Sequence, residues 1–109
     1  MAYNEKLVAR VRQVLASHRA LTEKKMFGGI TFLLHGNMCC GVADDDLVLR
    51  LGPEQSARAL KKPHARVCDF TGRPLKGIVM VEPGGYKTDG ALRKWVQQAA
   101  DFASSLPAK

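Results

Sequence analysis

Long apolar runs are missing from this 109-residue chain: none approaches the roughly 20 residues that span a bilayer. The N-terminus passes from Met1-Ala2-Tyr3 straight into the charged pattern Asn4-Glu5-Lys6. A cytoplasmic protein with no membrane partner is expected. Cysteine is scarce and odd in number, at three residues, and Cys39 and Cys40 are neighbours that strand alternation would send to opposite faces, so no disulfide framework can be read. Aromatic residues make up 6%, and the larger ones fit core stripes, which leaves no stacking platform for single-stranded nucleic acid.

Metal-ligand spacing is also absent. Cys39, Cys40, Cys68, His35 and His64 form no CxxC or HExxH pattern, and Asp44-Asp45-Asp46 lacks the spaced ligands of an EF-hand loop, so neither metal nor cofactor is expected. Gly28-Gly29 belongs to neither GxGxxG nor GxxxxGK[ST] and reads as a bend where the chain enters a sheet. Cys68 stands next to Asp69 and reads as a small core residue rather than a nucleophile. No catalytic residue, and no enzyme, is expected.

What is present is an ordinary globular composition, 46% hydrophobic and 25% charged, at the length of one domain. Seventeen Lys and Arg against ten Asp and Glu give a net charge of +7, a field that draws phosphates, nucleic acid or an acidic protein surface.

Leu7, Val11, Val14 and Leu15 recur at helical spacing after Asn4, a candidate N-cap. Ile30 to Leu34 and Met38 to Ala43 read as antiparallel strands joined by a turn at Gly36-Asn37, and Leu47 to Leu51 follows the acidic tip Asp44-Asp45-Asp46 as a third. Pro53 opens a short helix that ends before Pro63. Val67 to Phe70 and Gly77 to Glu82 are further strands, and Pro83-Gly84-Gly85 closes the sheet. Leu92, Trp95, Val96, Ala99, Phe102 and Ala103 then form the stripe of a final helix capped by Thr88 or Asp89. The order α-β-β-β-α-β-β-α implies an α+β two-layer sandwich, an antiparallel sheet of about five strands with flanking helices.

Alternation places Ile30, Phe32, Leu34, Met38, Cys40, Val42, Leu47 and Leu49 on one face of this sheet. Leu33, Cys39, Val48, Ile78 and Met80 fall on the other. The second face is too apolar for plain solvent surface, and twofold self-association through it is expected. Lys24, Lys25, Arg50, Arg73 and Lys76 are the candidate residues for an anion or an acidic partner, Arg73 and Lys76 flanking a glycine-rich turn.

Met26-Phe27-Gly28-Gly29, then Phe70-Thr71-Gly72-Arg73-Pro74-Leu75-Lys76-Gly77, then Trp95-Val96 and the closing Leu106-Pro107-Ala108-Lys109 follow one another at a characteristic spacing. Together they resemble the N-terminal domain of the TfoX (Sxy) competence regulators, over nearly the whole chain. Met26, Phe27, Gly28, Gly29, Gly72, Pro74, Gly77 and Trp95 are the structural signature of that resemblance. It implies a secretion-chaperone-like sheet with helices and no catalytic residues. Full regulators of the family carry a second, C-terminal domain; with the sequence ending at Lys109, a stand-alone member is expected. The function implied is a non-enzymatic regulatory domain, related to transcription regulation, that acts through contact with itself or a protein partner. The alternative is a nucleic-acid or phosphate-binding module that uses the basic residues.

Overall fold

Asn4 starts the first helix as its position implies, its Oδ1 accepting from the Leu7 amide at 3.1 Å. The computed structural model describes residues 3–18, 20–26, 29–67 and 77–107. Helix α1 (Glu5–Leu15) buries Leu7, Val8, Val11 and Leu15. Helix α2 (Gly52–Ala59) has no side-chain cap and carries Pro53 in its first turn, where a missing amide costs nothing. Helix α3 (Asp89–Ser104) is capped by Thr88, whose Oγ accepts from the Ala91 amide at 3.1 Å.

Strands β1 (Leu21–Met26), β2 (Gly29–Leu34), β3 (Asn37–Ala43), β4 (Asp46–Arg50), β5 (Ala65–Val67) and β6 (Ile78–Val81) form one sheet in the order β1-β2-β3-β4-β6-β5, antiparallel throughout. A 3-10 turn at Pro83–Gly85 leads into α3. The chain is thus the α+β protein its patterning implies, with three α-helices and, against about five strands expected, six strands among the described residues.

The principal core is a single cluster in which Leu7, Val11 and Leu15 of α1 and Leu92, Trp95 and Val96 of α3 meet Phe32, Leu34, Leu47, Leu49, Val79 and Val81 of the sheet. Both long helices therefore lie on one face. Each large side chain buried there contributes about 1.5–3 kcal/mol, so this layer dominates the stability.

Three local expectations are corrected. Lys24 and Lys25 belong to strand β1, paired in register with β2, rather than to a segment before the sheet. The first hairpin turns at His35-Gly36, with φ of +52° and +81°, the geometry of a tight two-residue turn; Asn37 is paired with Leu34 and its Nδ2 donates to the Pro107 carbonyl at 2.8 Å. The β2–β3 register slips at Phe32/Leu33, so that Phe32 opposes Cys40 but Leu33 opposes Met38. Cys39 is the extra residue of a bulge, and a one-residue slip reverses the facing of all that precedes it. Cys39 accordingly joins Cys40 in the principal core, while Met38 moves to the second face beside Ala43, Val48, Ile78 and Met80.

Candidate functional site

The basic residues singled out from the sequence do not gather. Lys24 pairs with Thr31 and Lys25 with core-facing Ile30, so these two exposed lysines project to opposite faces of edge strand β1. Arg50 ends β4, three strand steps from β1 and so about 14 Å away. Its guanidinium lies 5.6 Å from the centroid of the Phe102 ring. Arg73 and Lys76 fall outside the described residues, as do Phe27, Gly28, Cys68, Gly72 and Pro74 and the side chain of Met26. Gly29 pairs with Met26 across β1 and β2, and Gly77 takes a φ of +82°.

The residues expected to mediate self-association are mostly internal. Cys39 is in the principal core, Val48 and Met80 are buried in a smaller cluster, and Leu33 and Ile78 are half-buried. The two core cysteines are chemically quiet. Hydrogen bonding with Cys39, reinforced by burial, pushes the Cys40 thiol well above its ordinary pKa, which keeps it protonated and non-nucleophilic. Among the described residues no group of three or more His, Cys, Asp or Glu converges to hold a metal ion, and no helix is long and apolar enough to cross a membrane.

The acidic tip leaves Asp44 and Asp45 exposed, and it is also anchored. The Asn4 amide donates to the Asp44 carbonyl at 2.7 Å, the Tyr86 hydroxyl donates to the Asp45 carbonyl, and Arg66 pairs with the Asp46 carboxylate. Burial raises the pKa of Asp46 even beside Arg66, and burial likewise raises that of the Tyr86 phenol. Arg10 donates to the Tyr86 carbonyl and to Asp89 Oδ1, both at 3.2 Å. This network ties the tip, α1 and the start of α3 together, and so fixes the Pro83–Gly85 turn in place.

That turn walls an open groove of about 560 Å³ between α3 and the Lys62-Pro63-His64 bend. Its floor is Trp95, 7% exposed, whose Nε1 donates to the Gly85 carbonyl at 3.0 Å. The Lys62 ammonium sits 5.1 Å from the indole centroid, within cation–π range. His64 has a φ of +71°, an uncommon value for a non-glycine residue, and its ring lies against Gly84. A Cβ on Gly84 would come within 2.6 Å of His64 Cε1, and one on Gly85 within 3.0 Å of His64 Cβ. The glycine pair that seemed only to end the sheet is what admits the imidazole to the groove rim. Lys94 of α3 completes the rim, and Asp101, the one acid that lines the groove among the described residues, accepts from Gln97 Nε2 at 2.9 Å. Lys62, His64 and Lys94 carried no sequence signal as a group, because tertiary packing alone brings them to Trp95.

This architecture defines a small two-layer α+β domain with its helices on one face and a groove along the outer side of α3. Residues 13–103 match the model of the TfoX N-terminal domain, and the chain belongs to that family, a regulatory, non-catalytic one. No curated protein and no solved structure matches the chain.

Proposed function

We propose that this competence-regulator-like domain is non-enzymatic and acts in regulation by docking a protein partner in the cytoplasm. The observation that supports the reading is the groove over Trp95, where an indole floor lies under the Lys62 side chain and between the Lys62-Pro63-His64 bend and α3. Aromatic anchors set in a concave, partly apolar site are the usual centres of protein contact. Nucleic-acid binding draws on the net charge of +7, but the described basic candidates Lys24, Lys25 and Arg50 occupy separate places on the surface. The proposal also includes a homodimer. With Cys39, Val48 and Met80 inside the fold, half-buried Leu33 and Ile78 remain as the residues of the second face through which it would form.

Affinity capture from the native host, with and without nuclease, tests the reading when wild type and Lys94→Glu are run side by side. A protein retained by wild type after nuclease treatment and lost with Lys94→Glu supports it. Material that disappears on nuclease treatment overturns it in favour of nucleic acid.

A further inference from the structure

We infer that the groove over Trp95 takes an acidic peptide segment with apolar side chains among its carboxylates, an inference that rests on the protein-docking reading above. Two features of the groove specify this chemistry. Trp95, Pro63 and Ala91 give it an apolar lining, suited to a leucine or phenylalanine side chain. Its charge is cationic: Lys62 and Lys94 are both exposed on the rim. Asp101 keeps its charge while accepting from Gln97, so it offsets one of the two lysines and leaves the lining with a positive surplus. Asp89, the acid at the start of α3, is paired with Arg10. A carboxylate entering the groove therefore meets ammonium groups that have no carboxylate partner in the salt bridges of the described residues.

Lys62 gives the site a way to respond. Its ammonium rests over the indole in the free protein, held by the ring's quadrupole, an attraction worth less than a charge-assisted hydrogen bond to a carboxylate. An arriving acidic residue draws Lys62 off the ring, and the apolar side chain beside it then covers the uncovered indole. His64, whose ring lies against Gly84, is a further part of the lining beside Lys62 and Pro63.

Trp95 is the single tryptophan of the sequence, so its fluorescence reports on this groove alone. Wild type is titrated with a short peptide alternating glutamate with leucine and phenylalanine, with its counterpart in which lysine replaces glutamate, and with a single-stranded oligonucleotide of the same charge as the acidic peptide. The acidic peptide should give a saturable emission change whose midpoint rises with added salt. Lys62→Glu with Lys94→Glu should weaken it at least tenfold, and Lys24→Glu, on the far edge of the sheet, should leave it unchanged. Lys62→Gln with Lys94→Gln, a milder change at exposed positions, should weaken it in the same direction and guards against a charge-reversed protein that fails to fold. Absence of a saturable change with the acidic peptide, or binding indifferent to both double variants, overturns the inference. Binding of the lysine peptide in its place overturns the acidic chemistry while leaving protein docking intact. Binding of the oligonucleotide alone, lost in the charge-reversed variant, overturns both.

Discussion

Gly52 and Gly77 face each other where β4 runs into α2, and they have nearly the same backbone conformation, with φ of +83° and +82°. Gly77 accepts through its carbonyl from the amides of Leu51 at 2.8 Å and Gly52 at 3.1 Å, so the pair anchors the start of α2. Replacing either by alanine forces a left-handed conformation on an L-residue, at about 1–2 kcal/mol. At Gly77 that is the whole cost, because the new Cβ would lie 3.4 Å from the nearest atoms of Gly52, an ordinary contact. At Gly52 the new Cβ would lie 2.5 Å from Phe102 Cε1 and 3.0 Å from Cδ1, so the ring must shift, and overpacking of this kind adds about 1–3 kcal/mol. Gly52→Ala should therefore lose about 2–5 kcal/mol against about 1–2 for Gly77→Ala. Denaturant unfolding followed by circular dichroism measures both, and a cycle with Phe102→Ala isolates the steric part. In the Phe102→Ala background the excess cost at Gly52 should vanish while the conformational cost remains. Equal losses at the two glycines, or an excess that survives removal of the ring, would refute the reasoning.

Three further outcomes are expected. The Arg12 guanidinium hydrogen-bonds Glu23 at 2.8 Å and holds its carboxyl below the ordinary glutamate pKa. A depressed folded-state pKa gives stability that is present above the unfolded-state value and lost as pH falls through the folded-state one, so the stability difference between wild type and Glu23→Gln should shrink on acidification through that window; a difference that does not change across it contradicts the pairing. Cys39 and Cys40, both fully buried, should resist thiol-specific labelling in the native protein and label on unfolding, as read by peptide mapping; rapid native labelling of either would contradict their placement. Sedimentation at concentrations well above those of the cell should show a dimer that Ile78→Lys converts to a folded monomer, and a dimer that persists in the variant would exclude the second sheet face as its contact.

The parts of the fold that were legible in the sequence are those in which local chemistry and burial agree. Asn4 and Thr88 have cap chemistry and cap their helices, and Leu92, Trp95, Val96, Ala99 and Ala103 of the last stripe are buried as their period requires. Strand β1 escaped notice because it is an edge: Thr22, Glu23, Lys24 and Lys25 are all exposed, and nothing in such a run alternates. The bulge at Cys39 left no mark either, since two identical adjacent residues carry no period, yet it decides which face Met38 and Cys39 occupy. His35 was an unlikely turn residue by composition, and its left-handed φ follows from Asn37 being engaged by Pro107 and paired with Leu34. Phe102, expected in the core, is half-buried beside Gly52 and Arg50. Trp95 was placed correctly as a core residue, but its neighbours in the groove come from three separate stretches of chain, which no local pattern joins.

The central claim, regulation through protein contact at the groove, is tested most directly by photo-cross-linking in the native host. A photoreactive residue is introduced in place of exposed Gln98 on the groove wall and, separately, in place of exposed Lys24 on the β1 edge. The account predicts a discrete cross-linked protein species from position 98 that is absent from position 24 and unaffected by nuclease. Cross-links to nucleic acid, or to the same protein from position 24 and not from position 98, would contradict it.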